Sequence, residues 1–355
     1  DHDKGTYNTW YSDGQKETEG LIVNDKKEGT FTTYYPNGKV KEIVFYKNNL
    51  REGKFTTWHD NGQKESEGYY KQGKSDGIIR WWHHNGNPDM IGKNINGKQD
   101  SIWTFYDING KQGSRGLFRS GLQDSLWVYW YETGEKWKEG NFVKGKKSGR
   151  WIAWYETGEK EREGNFKDGM EDGIWNSWYK NGQLKETGEF VMGKLDGLWK
   201  GFWENGKPRF ETEYKNGLND GYARSYTEKG NLISETNYKE GKKNGLYTEW
   251  FENTYLMEKG AFRNDKKTGK WEFYDNRGSK FREETYSEGF SDGKWKDFYQ
   301  TGVVKAEGTN KKGVAEGKVI YYDKKGEVIY TSVMKNGKKI KEIKKEQDKK
   351  EAPKK

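Results

Sequence analysis

A glycine recurs every 24 residues, at Gly5, Gly29, Gly53, Gly77, Gly149, Gly173, Gly197, Gly221, Gly245, Gly269, Gly293 and Gly317, and Ser101 and Ser125 fill the gap in register. Fourteen units without insertion or deletion mark a tandem repeat, in which each unit is too small to bury its own apolar face and must stack on its neighbours. With this residue as position 0, position +5 is aromatic in all fourteen units, from Trp10 to Tyr322. Position +2 is Trp in seven units: Trp103, Trp127, Trp151, Trp175, Trp199, Trp271 and Trp295. Position +9 is Gly in thirteen units, with Thr254 breaking the series. Position +17 is Phe or Tyr in ten units and +15 is Gly in nine.

The spacing predicts hairpins. Positions +8 and +9 read Asn-Gly at Asn37–Gly38, Asn61–Gly62, Asn85–Gly86, Asn181–Gly182 and Asn205–Gly206. Asn-Gly between aromatic runs favours a two-residue type I′ turn, whose central residues both need φ > 0. Such a turn places +2 opposite +15, so Trp127 faces Gly140, Trp151 faces Gly164 and Trp175 faces Gly188, and an indole can lie flat over backbone. A second turn at +19 and +20 (Asp168–Gly169, Asn216–Gly217, Glu240–Gly241) leads into the next hairpin. No segment carries a sustained 3.6-residue period, so no helix is expected. The expected fold is all-β: an elongated single-layer antiparallel sheet of about fourteen tandem 24-residue hairpins over residues 1–337, twisted or curved. At ~4.8 Å per strand it would be roughly 130 Å long. Ser101, Ser125 and Thr254 depart from the glycine pattern, and Asn94 and Asn310 replace the +17 aromatic. The registers near 101–125 and 245–260 are therefore expected to be irregular or bent.

Composition fits a thin core. Only 30% of residues are hydrophobic, and aromatics supply 16 of those points. Ordinary domains are nearer ~45–50% apolar with Gly included. Seventeen Trp and 24 Tyr nevertheless set the chain apart from disordered sequences, which are poor in aromatics. The absence of Cys excludes disulfides and thiolate metal sites. His2, His59, His83 and His84 have no metal-ligand spacing, and no apolar run reaches the ~20 residues of a membrane span. The net charge is +9, but Lys335–Lys355 holds ten Lys and four acidic residues, so the other 334 residues carry a net of only +3. A nucleic-acid partner, which would need a basic face on the body, is not expected. Residues 338–355 are expected to be a charged, disordered tail.

The unit G-x-W-x-x-[WYF]-[YW]-x-N-G-x-x-x-x-x-G-x-[FY]-x-x-G resembles the MORN repeat in its bacterial variant form, from residue 5 to about 337. The resemblance implies tandem hairpins in a curved single-layer sheet with an aromatic-lined groove, and a non-enzymatic scaffold role. Some members hold a partner peptide or helix, phospholipid binding is proposed for others, and some are regarded as antitoxins.

An aromatic fixed at one position of every unit first serves the repeat itself. An uncovered sheet face would still expose ring edges, and large exposed apolar patches mark interaction sites. The most regular block supplies the candidate partner-binding aromatics: Trp127, Trp130, Trp151, Trp154, Trp175, Trp178, Trp199 and Trp203. Glu recurs at +14 in eight units, which describes a solvated stripe matched by Lys rather than the unique desolvated pair that catalytic carboxylates need. Acidic turns such as Glu171–Asp172 lack calcium-ligand spacing. No catalytic residues, metal or cofactor are expected. The expectation is a scaffold that binds a protein or peptide, monomeric or weakly self-associating and exported to the envelope, surface or medium, since the chain starts at Asp1 and lacks Cys. The alternatives are a cytoplasmic antitoxin-like inhibitor of a partner protein, or a surface protein that binds glycan or anionic lipid.

Overall fold

The computed structural model describes residues 3–344, and in that span it contains 31 β-strands and no helix. The chain divides into two compact units, one up to Gly182 and one from Gln183. Within each unit, strands of mostly eight or nine residues pair antiparallel with their sequence neighbours, as Leu122–Trp130 pairs with Lys136–Val143 and that strand with Lys146–Trp154. Each 24-residue unit is thus one hairpin of a meander, as its two turn signals predict.

The type I′ turn expected at +8/+9 is not found there. The hairpin turn at +6 to +9 closes with the Gly134 amide donating to Tyr131 O at 2.9 Å and the Tyr131 amide donating to Glu135 O at 2.9 Å. Only the glycine at +9 has positive φ; Asn37, Asn61, Asn85 and Asn205 at +8 do not. This is a type I turn closed by a left-handed glycine, which forms a G1 bulge opposite Tyr131; a separate slip between Tyr129 and Trp130 leaves Trp137 out of the ladder. The type I′ turn lies at +19/+20, where both φ values are positive, as at Asp168 (53°) and Gly169 (89°) between paired Lys167 and Met170.

A second bulge lies at position 0. Gly140 is opposite Trp151, but Asn141 is opposite Ser148, which leaves Gly149 and Arg150 out of that ladder. From Gly29 onward the residue at position 0 has positive φ in every unit, including Ser101 (φ 61°) and Ser125 (φ 57°). These serines were expected to disturb the array and do not. Ser101 keeps the pairing to Phe118 that Gly149 makes to Phe166, and its hydroxyl donates to the Asp100 carboxylate at 3.2 Å. Thr254 likewise adopts the glycine conformation, with φ 71° and the standard turn bond to Phe251 O at 2.9 Å. The units instead divide between Gly182 and Gln183.

The ladder extends beyond residue 337. Lys338–Lys344, assigned to the tail on charge alone, forms a strand paired with Val328–Lys335. The rest of the expected tail, 345–355, lies outside the described residues.

Candidate functional site

Because strand side chains alternate, each unit presents two chemically different faces. Positions +2, +4, +13, +15 and +17 share one, the indole face. Positions +1, +3, +5, +14 and +16 share the other, the carboxylate face, as the cross-strand pair Val128–Glu139 (+3 and +14) requires.

On the indole face, Trp151 has two glycine partners in register: it is opposite Gly164 in its own hairpin and Gly140 in the preceding one. The ring lies over Gly140, and the same holds for Trp127 over Gly116, Trp175 over Gly164 and Trp199 over Gly188. The expected overlay on the glycine of the same hairpin is therefore displaced by one unit. The position-0 bulge accounts for this. It breaks the ladder beside the preceding +16 carbonyl, and the indole N–H takes up that acceptor: Trp127 to Leu117 O at 3.1 Å, Trp151 to Asn141 O at 3.1 Å and Trp175 to Asn165 O at 3.2 Å. Between the indoles stand the +17 rings, edge-on, with Phe142 at 5.2 Å and 87° from Trp151. Cations cover the stripe. Lys147 Nζ lies 4.6 Å from the centroids of both Trp151 and Phe166, and Arg162 lies 4.2 Å from Trp175. Burial, and then the nearby Lys147, lowers the Lys138 pKa, and its ammonium sits 3.7 Å from the Trp137 ring.

Trp127, Trp151 and Trp175 are consequently buried, Trp127 to 2% exposure. In the second unit Trp199 is half-buried, its indole donating to Glu189 O at 3.0 Å.

Trp130, Trp154 and Trp178 belong to the carboxylate face and are half-buried. Lys136 Nζ lies 5.1 Å from the Trp154 ring and 2.9 Å from Glu139, and Lys160 repeats the arrangement with Trp178 (5.1 Å) and Glu163 (2.7 Å). The hydrogen bond from Lys160 chiefly, aided by Arg150 against the cost of desolvation, holds the Glu163 carboxyl below its usual range. Trp203, at +6, donates its indole proton to Tyr226 O at 3.2 Å beneath Arg209. The candidate tryptophans of each unit are thus split between opposite faces.

Much of the apolar surface open to solvent is aliphatic. Position +1 holds exposed Ile78, Ile102, Leu126 and Ile174 in the first unit, with Tyr69 and Phe45 exposed on the same face. Sequence reasoning passed over these residues because the aromatic periodicity dominates. The odd parity of +1 relative to +2 is the signal that could have found them. Among the described residues, no group of three metal-ligating side chains occurs, and no helix is long and apolar enough to cross a membrane.

Stacked hairpins with alternating faces and two fixed turn types define a tandem β-hairpin repeat protein. A family model for the MORN repeat variant matches residues 27–48, 51–72, 147–168, 171–192, 195–216, 219–240 and 291–310. The chain is a MORN-repeat protein of that variant type. No curated protein matches it. Solved structures that are similar include the crystal structure of TcdB2-TccC3-Cdc42 (9% identity, 94% of this chain, 25% of that chain, TM-score 0.18). Another is the Photorhabdus luminescens Tc holotoxin pore with the TccC3-D651A mutation (9% identity, 93% of this chain, 24% of that chain, TM-score 0.19). This chain spans about a quarter of the length of those chains, and TM-scores this low bear on neither its fold nor its partners.

Proposed function

We propose that this repeat scaffold works by binding a partner protein or peptide, and that the carboxylate face of the first unit is where it does so. The observation that supports this is the exposed row at +1. Ile102 and Leu126 are each 50% exposed, one hairpin apart on the same face, with Tyr69 and Ile78 beside them. A clustered apolar surface of this kind costs solubility and marks interaction sites. The indole face has its rings buried and its cations already engaged. The nearly balanced charge of the body favours contact through shape and apolar area over a polyanionic partner. The proposed location is outside the cytoplasm, where a Cys-free fold needs no redox protection.

The test is crosslinking capture from the source cells and their medium with the full chain, Ile102→Glu and Leu126→Glu as matched baits. A stoichiometric protein lost from both variants, but kept by Trp151→Phe, supports the assignment. Equal capture by all baits, or no protein partner, overturns it.

A further inference from the structure

Residues that recur in every unit serve the repeat, so a ligand site should be sought where several positions depart from the repeat together. The unit beginning at Gly245 does so on its carboxylate face. Position +16, which is Leu, Phe, Tyr or a polar residue in most units, is Ala261. Position +14, Glu in eight units, is Lys259. Position +1 is Leu246, which lies opposite Ala261 and is 70% exposed.

These departures form a cavity of about 600 Å³, within the ~300–1,000 Å³ of small-molecule sites. Its floor is apolar, made by Leu246, Ala261 and Gly260, and Gly269 stands out of the ladder at one wall. Its rim is cationic. Lys259 and Lys270 share Glu272, at 2.9 and 3.5 Å, and Lys270 also meets Glu283 at 2.9 Å. Arg263 is exposed on the same rim and forms no ion pair among the described residues. The site therefore combines an apolar floor with one guanidinium that makes no direct ion pair among the described residues and acts only at longer range, on Glu288. A planar fork of donors fits a carboxylate in bidentate fashion.

We propose that this cavity binds a small amphipathic carboxylate, its anionic head on Arg263 and its apolar body over Ala261 and Leu246. The charge balance favours a monoanion, because Glu272 and Glu283 already engage the two lysines. The site is in the second unit and does not depend on the partner surface of the first.

The experiment is a calorimetric titration of the full chain with octanoate, using octylamine as the cationic control and acetate as the control without an apolar body. The variants are Ala261→Leu, which fills the floor with a residue the repeat already accepts at Leu21 and Leu117, and Arg263→Gln, which removes the fork without changing the floor. The expected result is saturable binding of octanoate alone, weakened at least about tenfold by either variant. Thermal unfolding checks that each variant is folded; should Ala261→Leu melt early, Arg263→Gln decides alone. No saturable octanoate binding, equal binding of octylamine, or an affinity unchanged in Arg263→Gln would overturn the proposal. Loss of the captured partner in Ile102→Glu leaves this cavity intact, so the two readings fail separately.

Discussion

The indole of Trp151 lies on the backbone of Gly140 and bonds the carbonyl of Asn141, whereas the indole N–H of Trp295 is buried with no partner. The difference lies in the residue beneath. Six of the seven +2 tryptophans, Trp103, Trp127, Trp151, Trp175, Trp199 and Trp271, cover the glycine of the preceding hairpin, whereas Trp295 leans towards Gly308 of its own hairpin. The residue opposite Trp295 in the preceding hairpin is Glu284. Its Cβ holds the ring off the backbone, away from the carbonyl that the other indoles reach. Glu284 is itself satisfied by Arg282, Tyr286, Ser291 and Asn310.

Gly140→Ala should therefore destabilise the first unit by about 1–3 kcal/mol, because the added methyl overlaps the Trp151 ring. Gly113→Ala is the control: it has no positive φ and meets only Phe105 O, at 3.9 Å. Urea unfolding followed by Trp fluorescence should separate the two, and equal midpoints would show that the overlay is not tight.

Trp271→Phe should cost about 1 kcal/mol more than Trp295→Phe. The first change removes an indole bond to Ala261 O at 3.2 Å as well as apolar area; the second removes area and an unpaired buried donor. Chemical denaturation of both variants measures the difference. A larger loss at Trp295 would mean that its N–H has a partner in solution.

Much of this was legible in the sequence. The turn placed at +8/+9 gave the pairing of +2 with +15, and Trp at +2 with Gly at +15 agreed with it, since only a residue without a side chain leaves room for an indole over backbone. Which glycine lies beneath was not legible, because Gly140 and Gly164 are both opposite Trp151 and only the bulge at Gly149 decides between them. The type of the +8/+9 turn was misassigned for a related reason. Asn-Gly satisfies a type I′ turn locally, yet here the asparagine is used between units: Asn205 accepts from the Lys207 amide at 2.9 Å and donates to Glu228 O at 2.8 Å in the next unit. The acidic residues at −1 are explained the same way. Glu28, Glu52 and Asp196 accept the amides of Asn48, Gln72 and Asn216 at the type I′ turns, a role invisible without the fold. The candidate site was legible only in kind. Aromatic rows mark this sheet, and their assignment to opposite faces follows from strand parity, since +2 and +5 lie three residues apart on one strand.

Asn205→Ala should lose both of these bonds and destabilise the second unit by about 1–2 kcal/mol. Asn205→Asp keeps the acceptor but sets a carboxylate against the Glu228 carbonyl, so it should lose at least as much. Thermal melts of the pair decide. Full retention in the aspartate variant would show that the inter-unit bond adds nothing.

Thr254→Gly should stabilise the turn by about 1 kcal/mol or more, since a β-branched residue at φ 71° is held where L-residues are disfavoured. The rest of the turn already has the geometry of the glycine units, with the Phe251 amide donating to Tyr255 O at 2.8 Å. Ser101→Gly should gain less, because it forfeits the hydroxyl bond to Asp100. A melting temperature that fell in Thr254→Gly would mean that the threonine side chain makes compensating contacts.

Acid should loosen the second unit at Glu272 in a defined pH window. Desolvation alone would raise this carboxyl, but the hydrogen bonds from Lys259 and Tyr274 and the charges of Lys259 and Lys280 outweigh it and bring it down to about 2. Its folded pKa thus lies below the ~4.3 of an unfolded glutamate, and the stability it contributes is complete above that value. The contribution falls away as pH drops from about 5 towards 2. Amide exchange across Leu256–Arg263, Lys266–Tyr274 and Lys280–Ser287 reads this locally. At pH 6 the wild type should be better protected than Glu272→Gln, and the gap should close towards pH 2. A gap that stayed constant with pH would show that the carboxylate charge is not what holds these strands.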